Sequence, residues 1–127
     1  HLASPHKALG LIRNRKRIGV DLLNLNASRR EEESLEVRRR IDQAGGPFIL
    51  AGDFNTPDDS QIFHQAWKGL RDAFGTAGFG FGTTYAKNHT WIRIDHILST
   101  PDWRCTECWE GPDIGSGHRP VFAQLER

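Results

Sequence analysis

The side chains best suited to chemistry fall into three short islands: Gly52-Asp53-Phe54-Asn55, Ile94-Asp95-His96 and Ser116-Gly117-His118-Arg119-Pro120-Val121. Alternation along a strand points Asp53 and Asn55 to one side and sends Phe54 into a core. An acid and an amide side by side can hold a water or a hard cation and hydrogen-bond a phosphate oxygen. Asp95 with His118 offers a second device, an acid that fixes the tautomer of an imidazole and raises its basicity. A histidine held in this way can take or give a proton near neutral pH. Each island alone has a plainer reading, as a turn after a strand or a satisfied structural group. It is their order and setting together that favour chemistry.

Each island sits where a strand is expected to end or begin. Phe48-Ile49-Leu50-Ala51 is a short apolar run between Pro47 and Gly52, the pattern of a strand buried on both faces. Polar groups at the end of such a strand meet solvent while being held rigidly. Trp91 to Leu98 reads as one strand stopped at Ser99-Thr100-Pro101, Trp103 to Trp109 as another, and Pro120 to Leu125 as the last. Ahead of them, Ser28 with Glu31 makes a capping box, and Leu35, Val37, Ile41 and Ala44 recur near helical spacing until Gly45-Gly46-Pro47. Acids precede bases along this helix, which suits the dipole and supplies a Glu36 to Arg40 pair on a solvated face. The stretch before it, with Val20, Leu22, Leu23 and Leu25, reads equally as strand or loop. Asp59 or Ser60 caps a second helix whose buried stripe is Ile62, Phe63, Ala66, Trp67 and Leu70. Gly75 to Gly82 is too irregular for a phosphate-cradling fingerprint and reads as a loop. Helix, strand, helix and then several strands favour helices layered on an antiparallel or mixed sheet.

The bulk numbers bound the rest. The chain has 127 residues, 17 Lys+Arg against 16 Asp+Glu, and 37% hydrophobic residues, as expected of one globular unit with a real core. Its apolar runs are far shorter than the ~20 residues needed to span a bilayer. A net charge of +1 disfavours capture of nucleic acid by the whole surface. The basic cluster Arg13, Arg15, Lys16 and Arg17 leaves a local nucleic-acid contact open beside the plainer reading of a solvated segment. Cys105 and Cys108 form a lone CxxC, half of a tetrahedral zinc site, and read as incidental strand or loop residues. Tyr85, Trp91 and Trp103 read as core or edge aromatics. No signal-peptide pattern opens the sequence, and the compartment stays open.

GDFNTP at 52–57, RIDHIL at 93–98 and SGHRPV at 116–121 together resemble the endonuclease/exonuclease/phosphatase superfamily of metal-dependent phosphoesterases. Leu70-Arg71-Asp72-Ala73-Phe74 and Thr84-Tyr85 look like its bacterial members. His1-Leu2 looks like the end of the family's Asn-x-His-Leu strand motif, and with Ser4-Pro5 is similar to a branch that includes membrane-tethered members. The resemblance implies an α+β fold, a four-layer α/β/β/α sandwich of mixed, mostly antiparallel sheets flanked by helices and about twice this length. The chain matches its C-terminal half, residues 1–127 forming a single unit, and the absence of methionine fits a start inside a longer protein.

The resemblance also implies roles. Asp53 would orient or activate the attacking water and Asn55 would bind the scissile phosphate. Asp95 would pair with His118, which would stabilise the charge on phosphorus or act as acid/base, while His1 would contact the phosphate. Asp53 and Asn55 would contribute to holding Mg²⁺ or Mn²⁺. Gly117 stands where the family has an aspartate, and the first-half asparagine and glutamate are absent, so metal binding is expected to be weak or missing. Two readings follow: a phosphodiesterase, nuclease or phosphatase domain completed by a missing N-terminal half, or an inactive binding or assembly module. A half-sandwich exposes an apolar sheet face, so a homodimer that mimics the full sandwich is a further expectation.

Overall fold

The computed structural model describes residues 16–87 and 90–127, and the side chains of its first helix from Asn24 onward. His1, Leu2, Ser4, Pro5, Arg13 and Arg15 lie outside the described residues, as do the side chains of Lys16 and Arg17.

The first element is one helix, α1, Lys16–Ala44. The expected start at Ser28 is therefore wrong, and the segment around Val20 to Leu25 is neither strand nor loop. Between Gly19 and Gly45 no Gly or Pro interrupts the run, so the Ser28 to Glu31 pair lies inside a helix that has no reason to stop. Its C-terminus is as expected: Gly45 takes φ 66° and its N–H bonds the Ile41 carbonyl at 3.1 Å. The Glu36 to Arg40 pair is present at 2.7 Å. The inward stripe differs from expectation, because Ser34 is fully buried while Leu35 is 48% exposed. Arg38 ties α1 to the turn around Lys68 by donating to the Lys68 carbonyl at 2.8 Å.

Strand β1 (Ile49–Asp53) leads to a short helix α2 (Gln61–Ala66), capped by Ser60, whose Oγ accepts from Phe63 N at 3.2 Å. A two-residue strand β2 (Arg71–Asp72) follows, then helix α3 (Ala73–Ala77). Helix α3 corrects the reading of Gly75 onward as loop. The Asp72 carboxylate accepts from Phe74 N and Gly75 N, and this cap is enough to wind one turn.

Strands β3 (Tyr85–Lys87) and β4 (Thr90–Ile92) pair with each other, and β5 (Asp95–Ser99) lies between β1 and β2. The single strand expected from Trp91 to Leu98 is thus two. At Arg93-Ile94 the chain changes partners: the Ile94 carbonyl accepts from Phe54 N at 2.8 Å, and Ile94 N donates to the Thr84 hydroxyl at 3.0 Å. Strands β6 (Arg104–Glu110) and β7 (Val121–Glu126) form the last antiparallel pair.

Alternation along β5 serves two cores. Leu98 joins Phe54, Phe63, Ala66 and Trp67, with Val37 of α1 and Leu50 of β1 against them. Ile97 packs instead on Ala73, Phe74, Cys105 and Cys108. The fold is α+β, and every pair of strands among the described residues is antiparallel. Strand β1 is not buried on both faces as its apolar run suggested. Leu50 points to the helices, whereas Ile49 is 44% exposed and Ala51 is exposed, since no described element lies against that side. On the β6–β7 pair, Trp109 and Phe122 stack at 5.5 Å with about half of each side chain in solvent. Among the described residues no helix is long and apolar enough to cross a membrane.

Candidate active site

The register of β1 on β5 places Asp53 directly opposite Asp95. Directly opposed residues of an antiparallel pair share a face, so two carboxylates meet there, an arrangement that costs energy unless neighbours relieve it. Both neighbours come from the sequence islands. On one side, Asn55 donates its backbone N–H to Asp53 Oδ1 at 2.8 Å and its side-chain Nδ2 to Oδ2 at 3.1 Å. On the other, His118 Nδ1 donates to Asp95 Oδ2 at 2.8 Å, which leaves Nε2 directed away from the carboxylate.

Asp53 and Asn55 do come together with Phe54 in the core, but not by strand alternation. Strand β1 ends at Asp53, and Asn55 takes φ 47°, the left-handed region that asparagine tolerates when its side chain bonds locally. The resulting Asx turn buries Asn55, and the Thr56 hydroxyl closes it by donating to the Phe54 carbonyl at 2.8 Å.

Two residues that frame this site were not singled out for any role by their types. Thr84, fully buried, accepts at Oγ1 from both Ile94 N and Asp95 N at 3.0 Å. Its carbonyl accepts from Arg119 N at 2.7 Å, so one residue fixes Asp95 and His118 relative to each other. Tyr85 beside it forms a backbone bridge to His118 and packs its ring on the imidazole at 5.0 Å. Arg93 is buried and forms ion pairs with Asp58 and Asp72. The signal that would have found both is positional, a polar residue immediately before an aromatic or apolar strand residue in a motif already noticed.

The remaining expectations divide. Tyr85 is core, while Trp91 is 75% exposed on the β3–β4 pair. Cys105 and Cys108 are free, buried thiols on β6 within the second core, and burial pushes Cys108 up to about 11. Burial likewise holds the His96 imidazole below its ordinary value, outweighing the opposing effect of the Thr56 carbonyl.

Asp53, Asp95 and His118 each offer a ligand atom, and these atoms lie within 4.8 Å of one another. Magnesium-like ions are commonly held by one or two carboxylates, with water and substrate phosphate completing the shell. Two opposed carboxylates fit that pattern. The group differs from the expected Asp53 and Asn55 set by adding Asp95 and His118.

A family model described as the Endonuclease/Exonuclease/phosphatase family matches residues 8–117, and the chain belongs to that family. Solved structures agree in fold. A family member from Bacteroides vulgatus has a TM-score of 0.65 at 25% identity, covering 78% of this chain and 44% of that one. The mannosyl-6-phosphatase of Bacteroides thetaiotaomicron has a TM-score of 0.62 at 23% identity, covering 79% and 46%. A family member from Beutenbergia cavernae reaches 0.67 at 22% identity, covering 98% of this chain and 33% of that one. The chain thus spans less than half the length of each of these structures. No curated protein matches it at a significant level. Proteins of this family typically use divalent metal ions.

Proposed function

We propose that this chain carries the water-orienting and proton-handling side of a phosphoester hydrolase. One observation supports this most strongly: Asp53, Asp95 and His118 converge within 4.8 Å, with Asn55 bonded to the first of them. Asp53 orients the attacking water and accepts its proton, and the Asn55 amide beside it binds the scissile phosphate. The water oxygen bonds to phosphorus as the ester bond from phosphorus to oxygen breaks. Asp95 holds His118 with its proton on Nδ1, so that Nε2 faces the reaction and, in the imidazolium form, protonates the leaving oxygen. The carboxylates of Asp53 and Asp95 would hold Mg²⁺ or Mn²⁺, which when bound neutralises phosphate charge. His1 joins the phosphate contacts on this reading.

Substrates on this reading are phosphate mono- or diesters, including nucleic acid, and the mannosyl-6-phosphatase among the fold neighbours makes a sugar 6-phosphate a sensible second substrate to assay. Residues 1–127 act as one unit, and the half-exposed Ile49, Trp109 and Phe122 support a covering partner, either an N-terminal half or a second copy. The test is hydrolysis of bis(p-nitrophenyl) phosphate and of mannose 6-phosphate with Mg²⁺ or Mn²⁺, beside Asp53→Ala. A rate lost in the variant supports the reading. Equal rates would sink it and leave the scaffold as a binding or assembly module.

A further inference from the structure

A buried guanidinium is costly unless it is paired, so a buried arginine held by several partners specifies a geometry. Arg93 meets that condition. Its Nη2 donates to Asp58, and its Nη1 donates to Asp72 Oδ2 at 2.6 Å and contacts His96 Nδ1 at 3.3 Å. Its guanidinium carbon lies 5.1 Å from the centre of the Phe74 ring, a cation–π distance.

The histidine contact has a definite direction. Arginine can only donate, so His96 Nδ1 accepts and the imidazole proton resides on Nε2. That proton is then donated to the Thr56 carbonyl, 2.9 Å away. Thr56 is the residue after Asn55, and Asp58 lies two positions further on. Arg93 therefore grips the turn that carries Asp53 and Asn55 by two arms, one through Asp58 and one through the His96 ring. The Phe54 N to Ile94 carbonyl bond at 2.8 Å fastens the same turn from inside. The Asp72 arm anchors the grip to the cap of α3, which packs on β5 and β6 rather than on the turn.

We propose that Arg93 is a positioning residue, holding Asn55 in its left-handed conformation, and with it the Asp53 carboxylate, through Asp58 and the His96 imidazole. The inference rests on the phosphoester reading for its consequence but not for its geometry. A displacement of about 1 Å at a reacting group costs about 100-fold in rate, so the effect falls on kcat/KM.

The test uses the full chain with Arg93→Met, Arg93→Lys and Asp58→Ala, at one fixed neutral pH. Two nuclear magnetic resonance signals report geometry without turnover: the ¹⁵N shifts of the His96 ring, and the exchange rate of the Asn55 side-chain amide. The unsubstituted chain should show the Nε2–H tautomer and a slowly exchanging Asn55 amide. Arg93→Met should lose both and lower kcat/KM for bis(p-nitrophenyl) phosphate by about 100-fold. Arg93→Lys should recover part of the loss, since it restores a donor but not the planar fork. Asp58→Ala, at a half-exposed position, should speed Asn55 exchange and lower kcat/KM about tenfold while keeping the tautomer. A folded Arg93→Met or Asp58→Ala with the original Asn55 exchange overturns the proposal. Should Arg93→Met fail to fold, Asp58→Ala decides alone. An inactive parent chain would reject the phosphoester reading only, because the two resonance signals still judge Arg93.

Discussion

At the residue scale, the site is a set of polar groups that hold one another in place. Thr84 shows how little such a role depends on residue type, since one hydroxyl takes two backbone N–H groups and no charge is involved. Replacing it with valine keeps the shape and removes the acceptor. Thr84→Val should therefore destabilise the chain by roughly 2–5 kcal/mol, the cost of leaving two buried donors unsatisfied. Thr84→Ser, which loses only a methyl group, should cost about 1 kcal/mol. Urea titrations of the two variants measure the difference, and equal losses would show that packing rather than the shared acceptor matters. Gly117 is the complementary case, a position where the sequence resemblance implies a carboxylate and this chain has none. A side chain there would meet Tyr85 Cε2 at 3.7 Å, an ordinary contact, so space does not exclude one. Gly117→Asp should tighten Mn²⁺ binding roughly tenfold by calorimetry, in line with what a supporting carboxylate contributes at metal sites. An unchanged affinity would show that an acid at 117 does not reach the Asp53 and Asp95 pair.

At the element scale, what could be read in advance was whatever leaves a local signature. The Gly45-Gly46-Pro47 stop, the Ser60 cap and the α2 stripe through Phe63, Ala66 and Trp67 all came from short-range chemistry and are all present. The start of α1 misled because a capping box is also an unremarkable helix interior, and only the absence of a breaker upstream distinguishes them. The division of β4 from β5 was illegible for a different reason: it is imposed by Thr84 and Phe54, which are distant in sequence. On β6, the inward face carries Cys105 and Cys108 into the second core, and this has a titration consequence. Burial first, then the neighbouring Cys105 and Asp72, hold the Cys108 thiol protonated up to about 11 against an ordinary 9.0. The folded state prefers the thiol, so this contribution to stability is complete below pH 9 and is lost as pH rises through about 11. Stability measured by urea should fall across that window and fall less in Cys108→Ala. Ellman's reagent at pH 8 should label the thiol only on unfolding.

At the scale of the whole molecule, the candidate site was more legible than the fold that holds it. Asp53, Asn55, Asp95 and His118 were identifiable because their motifs are short, and the structure brings all of them together. Arg93 was in view as a letter of those motifs and Thr84 as half of the Thr84-Tyr85 pair, yet their work is visible only once three segments meet. The register that joins Asp53 to Asp95 spans 42 positions of chain, whereas the β6–β7 pair begins with residues only 11 apart, Glu110 and Val121. Closing the shorter loop costs less entropy, so β6–β7 should zip before β1–β5 and the two carboxylates should meet late. A late-formed site has a kinetic signature. Any divalent ion that bridges Asp53 and Asp95 stabilises contacts absent from the folding transition state, so saturating Mn²⁺ should slow unfolding and leave the refolding rate untouched. In a chevron plot only the unfolding arm would move, which makes the order of assembly readable from the same ion that the chemistry would use.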